Sequence, residues 1–122
     1  MRAPILLVDD SEDTQEFVSE ALMGAGFDVL QARNGRDALA MLVDQRAPRL
    51  LIVDLIMPVM DGAELVDVLA CYQRLAKIPV LMVSAADLPE ELRTPPGARY
   101  LKKPFDEAAL LNEVNGLLAN AA

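Results

Sequence analysis

Short apolar runs recur along the chain and alternate with longer segments in which apolar residues return at helical spacing. The runs fall at residues 4–8, 27–32, 49–53, 78–83 and 98–102. Apolar runs of this length are typical of strands, and an apolar residue at every third or fourth position is typical of a helix with one buried face. The first and third runs are wholly apolar over Ile5 to Val8 and Leu50 to Val53, which predicts strands covered on both faces.

Three of the segments between the runs and the segment after the last run carry the helical pattern. Their predicted buried faces are Phe17, Ala21, Leu22 and Ala25; Ala38, Met41 and Leu42; Leu65, Val68, Leu69 and Tyr72; and Leu110, Val114, Leu117 and Leu118. Asn34, Asp61 and Asp106 precede three of these helices and can cap their first turns. Right-handed crossovers between successive strands give a parallel sheet with helices on both faces. The predicted fold is therefore a doubly wound α/β domain with five parallel strands.

Residues 85–99 interrupt the alternation between the fourth and fifth strands. This segment contains Pro89, Pro95, Pro96 and Gly97. Proline lacks the amide proton that a helix interior uses, and it disfavours helical geometry in the residue before it. We therefore expect the fourth helix of the alternating pattern to be short or absent.

Size and composition describe one globular domain, with expected bounds 1–122. The chain is 53% hydrophobic and 25% charged, which excludes disorder, and no apolar stretch reaches the roughly 18 residues of a membrane span. A net charge of −8 argues against a basic face for nucleic acid, and the chain contains no histidine. Because Cys71 is single and no signal peptide precedes the first strand, the expected location is the reducing cytoplasm, away from membranes.

Two of the apolar runs end in carboxylates. Asp9 and Asp10 follow the first run, and Asp54 follows the third. In the flavodoxin-like strand order 2-1-3-4-5 the first and third strands are neighbours, and their carboxyl ends form the crevice where such sheets bind ligands. Three carboxylates repel one another there, and Mg²⁺ suits a site that offers oxygen ligands and room for phosphate. The pattern predicts phosphoryl chemistry with Asp54 as the nucleophile.

Two further polar residues stand at the ends of the last two strands. Ser84 follows the fourth run, and Lys103 follows the fifth. A hydroxyl and an ammonium in these positions suit a phosphoryl group attached to Asp54.

Four motifs, taken in order and spacing, resemble the receiver domain of two-component response regulators over essentially the whole chain. They are Val8-Asp9-Asp10-Ser11, Asp54-Leu55-Ile56-Met57-Pro58-Val59-Met60-Asp61-Gly62, Ser84-Ala85 and Lys103-Pro104-Phe105. The resemblance implies that Asp54 accepts a phosphoryl group from a phosphohistidine of a sensor histidine kinase or a histidine phosphotransfer protein. It implies that Mg²⁺ is bound by Asp10, Asp54 and the main-chain carbonyl of Ile56, with Asp9 acting partly through water.

The resemblance also assigns roles at the ends of the last two strands. Lys103 pairs with Asp54 before phosphorylation and with the phosphoryl group afterwards, and its peptide bond to Pro104 is expected to be cis. Ser84 and Tyr100 match the switch pair of the family, in which the hydroxyl moves toward the phosphoryl group and the ring turns inward. The implied protein is a stand-alone receiver, monomeric or weakly dimeric, that binds a downstream protein or relays the phosphate.

Three alternatives remain open at this stage. A receiver that does not need phosphorylation would act as a protein-interaction module. An aspartyl-phosphate hydrolase would usually carry a second Asp two residues after the nucleophile, where this chain has Ile56. A flavodoxin-like nucleotide or flavin binder would need a phosphate-cradling loop after the first strand, where this chain has acidic residues from Asp9 to Asp13. The leading hypothesis is a phosphoacceptor whose only catalysis is slow self-dephosphorylation.

Ile56 predicts a slow loss of the phosphoryl group, because it is bulkier and less polar than the residue often found at this position in the family. We expect Ile56→Asn to shorten the lifetime of the phosphorylated state by admitting an attacking water. The measurement is the dephosphorylation rate of the purified phosphoprotein, and an unchanged rate would contradict the role given to Ile56.

Overall fold

The computed structural model describes residues 3–44, 47–55, 62–72, 75–85, 87 and 97–120. Along the chain the elements are β1 (Ile5–Val8), α1 (Glu12–Gly24), β2 (Val29–Ala32), α2 (Gly35–Asp44), β3 (Leu50–Asp54), α3 (Gly62–Ala70), β4 (Val80–Ser84), β5 (Arg99–Lys102) and α4 (Glu107–Asn120). No helix in this part of the chain has the length and apolarity needed to cross a membrane. The predicted doubly wound α/β fold is confirmed.

The five strands form one parallel sheet in the order β2-β1-β3-β4-β5. β1 lies between β2 and β3, and Val8 is in register with Ala32 on one side and Val53 on the other. The strand order 2-1-3-4-5 is therefore confirmed, and the residues that follow β1 lie beside the end of β3. This register brings the acidic residues of the two strands to the same edge of the sheet.

Apolar side chains cover both faces of the sheet, because successive residues of a strand point to opposite faces. On β1, Ile5 and Leu7 pack with α1 and α4, whereas Leu6 and Val8 pack with α2 and α3. All residues of β1, β3 and β4 are buried. Two apolar layers therefore hold the central strands, and polar side chains remain at the strand ends.

Three residues of the predicted helix faces are exposed. Phe17 is 42% exposed, because the buried face of α1 is centred on Val18 and Leu22. Tyr72 is 50% exposed and Ala25 is exposed as well, since each lies beyond the last helical residue and no longer follows the helical period. The period identified the helices correctly but extended two of them too far.

The capping predictions for α2 and α4 are confirmed. The Asn34 Oδ1 atom accepts a hydrogen bond from the amide of Asp37 at 2.8 Å, and Asp106 Oδ1 accepts one from the amide of Ala109 at 2.7 Å. Ser11 caps α1 in the same way, which the sequence analysis missed. Asp61 lies outside the described residues, and so does most of the segment 85–99, so the cap of α3 and the reduced fourth helix stay predictions.

Gly116 leaves room for an ion pair between Arg99 on β5 and Glu113 on α4. Arg99 Nη1 lies 3.2 Å from Glu113 Oε2, and both side chains are partly exposed. A Cβ atom at Gly116 would lie 2.8 Å from Arg99 Cζ and would overlap Nη1. An alanine there requires the guanidinium to move.

We expect Gly116→Ala to be nearly neutral in the native chain and stabilising in an Arg99→Ala background. Alanine gains about 0.5–1 kcal/mol over glycine in a helix interior, but with Arg99 present the new methyl group displaces the guanidinium. Urea unfolding of the four proteins measures both effects as a double-mutant cycle. An equal gain in the two backgrounds would show that Arg99 does not occupy this space.

Candidate functional site

Three carboxylates meet at the carboxyl ends of β1 and β3. Asp9 and Asp10 follow β1, Asp54 is the last residue of β3, and one oxygen atom of each lies within 4.8 Å of the other two. The side chain of Asp9 is fully buried, Asp54 is 6% exposed, and Asp10 is exposed. The structure therefore brings together the three acidic residues that the sequence singled out.

Lys103 bridges two of these carboxylates. Its Nζ atom donates hydrogen bonds to Asp9 Oδ2 at 2.8 Å and to Asp54 Oδ2 at 3.0 Å. The main-chain amide of Lys103 donates to the carbonyl of Ser84, so the chain after β5 still runs beside β4. The Lys103–Pro104 peptide bond is cis, as predicted. These contacts distinguish Lys103 from the neighbouring Lys102, which is exposed and pairs with Asp87.

Burial and charge act against each other in this cluster. Burial raises the pKa of the Asp9 carboxyl, although the hydrogen bonds from Lys103 and the Ser11 amide oppose the change. Burial by itself lowers the pKa of the Lys103 ammonium, but the hydrogen bonds and charges of Asp9 and Asp54 outweigh it, and the pKa ends above its ordinary value. Lys103 therefore stays protonated, and one ammonium faces three carboxylates.

The donor set fits a hard metal ion. All three side chains offer oxygen ligands, and the chain has no histidine to attract a softer metal. The negative charge that Lys103 leaves unbalanced favours a divalent cation. Ile56, whose carbonyl is part of the predicted ligand set, lies outside the described residues.

Asp9 is held by its backbone as well as by its side chain. Asp9 Oδ1 accepts a hydrogen bond from the amide of Ser11 at 2.9 Å. Gln15 Nε2 donates to the carbonyl oxygens of Asp9 and Ala32, both at 2.8 Å. The hydrophobic pattern did not single out Gln15, although a polar residue one turn before the buried Val18 was the available signal.

Ser84 and Tyr100 lie on the neighbouring strands β4 and β5. Ser84 is buried as the last residue of β4, and Tyr100 is half-buried against the core layer formed by α2 and α3. The Tyr100 hydroxyl donates to the Ser84 carbonyl oxygen at 3.3 Å. The two residues of the predicted switch pair are therefore in contact.

Two grooves lie near α1. One of about 240 Å³ adjoins the cluster and is lined by Lys103, Pro104 and Phe105 on one side and by Asp13, Thr14 and Phe17 on the other. The Phe17 and Phe105 rings are in contact there, with centroids 6.1 Å apart. The other groove, of about 480 Å³, lies between α1 and β2 and is lined by neither Asp54 nor Lys103. The smaller groove therefore shares Lys103 with the cluster.

Comparison with known sequences agrees with this geometry. Residues 5–115 match the family described as the response regulator receiver domain. Protein PilH of Pseudomonas aeruginosa is 36% identical over 120 residues, which cover 96% of this chain and 98% of PilH. The DNA-binding dual master transcriptional regulator RpaA of Synechocystis is 38% identical over 93% of this chain. The chain spans only about half the length of RpaA and of the other transcriptional regulators that it matches, 48% in the case of RpaA.

Solved structures lead to the same family. The chemotaxis response regulator CheY4 of Vibrio cholerae superposes with a TM-score of 0.86 at 33% identity, covering 96% of this chain and 99% of CheY4. The signal receiver domain of a histidine kinase from Syntrophus aciditrophicus gives a TM-score of 0.86 at 31% identity, covering 97% of this chain and 91% of that one. With its strand order and acidic edge, this chain belongs to the family of response regulator receiver domains.

Proposed function

We propose that residues 1–122 form a receiver that accepts a phosphoryl group on Asp54 from a phosphohistidine of a sensor histidine kinase or a histidine phosphotransfer protein. The observation that supports this most strongly is the contact of Lys103 Nζ with Asp54 Oδ2 at 3.0 Å. An ammonium beside the acceptor carboxylate can neutralise charge on the group being transferred. The acidic cluster and the groove beside it also support the proposal.

The transfer begins with an Asp54 carboxylate oxygen aligned against phosphorus. The new oxygen–phosphorus bond forms as the phosphorus–nitrogen bond of the donor breaks, and the imidazole leaves with the bonding electron pair and takes up a proton. Lys103 remains charged and follows the transferred oxygens. Asp10, Asp54 and the carbonyl of Ile56 would hold Mg²⁺, with Asp9 partly through water. When bound, Mg²⁺ neutralises charge on the phosphoryl oxygens and the carboxylates.

Ser84 and Tyr100 are proposed to report the phosphorylation. The hydrogen bond from Tyr100 to the Ser84 carbonyl is long at 3.3 Å, so breaking it costs little. A phosphoryl group on Asp54 offers acceptor oxygens that attract the Ser84 hydroxyl. Movement of that hydroxyl changes the space beside the Tyr100 ring, and a small bias between two arrangements suffices to alter the outer surface.

The output is proposed to be a protein contact. The chain matches PilH along almost the full length of both proteins, and its net charge of −8 argues against direct binding of nucleic acid. It would work in the cytoplasm as a monomer or weak dimer, either binding a downstream protein or passing the phosphate on. Its only catalysis would be slow loss of its own phosphoryl group, delayed by Ile56.

Intact mass after incubation with Mg²⁺ and acetyl phosphate tests the phosphoacceptor. We expect one phosphoryl adduct on the native chain, none when Mg²⁺ is removed by a chelator, and none on Asp54→Ala. Asp67→Ala is the matched control, because Asp67 is an exposed carboxylate on α3 away from the cluster. An adduct that survives in Asp54→Ala would exclude Asp54 as the acceptor. A folded native chain that binds Mg²⁺ but never gains an adduct would favour a phosphorylation-independent binding module.

Removal of the Lys103 charge tests the balance within the cluster. We expect Lys103→Met to lower the free energy of unfolding by about 2 kcal/mol in the absence of Mg²⁺, because Asp9 and Asp54 lose their cation while buried. Mg²⁺ should restore more stability to this variant than to the native chain, since it becomes the cation of the cluster. Urea unfolding with and without Mg²⁺ measures both effects.

Lys102→Met is the control for this experiment. It removes the same charge one residue away, where the Lys102 side chain is exposed and pairs with exposed Asp87. We expect no measurable change in stability and no change in the effect of Mg²⁺. Equal effects of the two substitutions would mean that net charge, and not the bridge, controls the stability of the cluster.

A further inference from the structure

Every polar group of Asp9 is engaged. Its amide donates to the Ala32 carbonyl at 3.1 Å, and its side chain binds the Ser11 amide and Lys103 Nζ. Its own carbonyl oxygen accepts from Gln15 Nε2 at 2.8 Å. Ala32 ends β2, Lys103 bridges the cluster and Ser11 caps α1, whereas the fourth contact comes from a side chain within α1.

Gln15 is positioned to donate a hydrogen bond to this carbonyl. The side chain is 8% exposed, and its Nε2 atom donates to the carbonyls of Asp9 and Ala32, which end two neighbouring strands. Within the described part of the chain, Gln15 Oε1 is buried and has no hydrogen-bond partner. Burying an unpaired amide oxygen costs stability. The role of Gln15 therefore lies in the hydrogen bonds that its Nε2 atom donates.

The Asp9 carbonyl belongs to the planar peptide unit that leads into Asp10. A hydrogen bond that fixes this carbonyl also fixes the direction in which the chain enters Asp10. The Asp9 and Asp10 carboxylates stand on either side of that unit, and both belong to the acidic cluster. The clamp from Gln15 thus acts on the geometry of two of the three carboxylates.

We infer that Gln15 is a positioning residue for the cation site, holding the Asp9–Asp10 peptide so that the carboxylates on either side of it converge with Asp54. Gln15 does not touch the cation or the phosphoryl group. Removal of a group that orients metal ligands through hydrogen bonds typically weakens metal binding by about 10- to 100-fold. This inference rests on the proposed phosphoacceptor function, because it concerns the cation which that function requires.

A purely structural role is the competing explanation, and the same helix provides a control for it. Ser19 lies one turn after Gln15, is buried, and accepts a hydrogen bond at 2.6 Å from Gln31 Nε2 on β2. This bond also ties α1 to β2, but it does not involve Asp9. Ser19→Ala therefore loosens the same helix against the same strand while leaving the Asp9 carbonyl clamped.

The test compares Mg²⁺ dissociation constants of the native chain, Gln15→Met and Ser19→Ala, measured by calorimetric titration at a temperature where urea unfolding shows each protein to be folded. Methionine keeps the length of the side chain and removes the donors. We expect Gln15→Met to bind Mg²⁺ about tenfold more weakly and Ser19→Ala to bind it as the native chain does. Gln15→Asn, which withdraws the amide by one methylene, is the milder variant if Gln15→Met does not fold, and it should shift affinity in the same direction.

Phosphorylation kinetics supply a second readout. Gln15→Met should need a higher Mg²⁺ concentration for half-maximal rate of adduct formation, while its rate at saturating Mg²⁺ stays close to that of the native chain. Native affinity in Gln15→Met, or an equal loss in Gln15→Met and Ser19→Ala, would overturn the positioning role. A folded native chain that fails to bind Mg²⁺ would overturn the proposed function before any variant is compared, and the inference with it.

Discussion

The Lys103 bridge between Asp9 and Asp54 is the interaction on which the site depends. Three carboxylates at one edge of a sheet repel one another, and two of them are buried where water screens the repulsion poorly. One ammonium, at 2.8 Å from Asp9 and 3.0 Å from Asp54, offsets part of the repulsion between the two side chains. Because Lys103 balances only part of the charge, the cluster could still hold a metal ion.

The rest of the fold makes this concentration of charge tolerable. β1 and β3 are buried along their whole length between two apolar layers. Apolar packing by itself therefore fixes the positions of the strand ends. The segment that follows β5 runs beside Ser84 and positions Lys103 on the opposite side of the cluster. The carboxylates of Asp9 and Asp54, at the carboxyl ends of β1 and β3, therefore meet the ammonium of Lys103, which follows β5.

The departures from the expected helix faces have simple physical causes. Phe17 was assigned to the core by its spacing, yet it lies partly exposed against Phe105, at the groove beside Lys103. Tyr72 lies past the last residue of α3, where the helical period no longer determines which way a side chain points. Hydrophobic spacing predicts which residues share a face, but only packing decides whether that face is covered.

The sequence by itself determined the order of strands and helices along the chain and the residue types at the strand ends, because apolar runs, caps and terminal carboxylates are local features of the chain. The strand order 2-1-3-4-5 came from the flavodoxin-like pattern, and the sheet confirms it. It also indicated Asp54, Lys103, Ser84 and Tyr100, through motifs that resemble a known family. Only the tertiary structure decided that Lys103 bonds Asp9 as well as Asp54, and that Gln15 clamps Asp9 to Ala32. Those contacts join residues as far as 94 positions apart, and their partners are chosen by distance and direction in the folded sheet. Such distances and directions leave no periodic signal in the sequence.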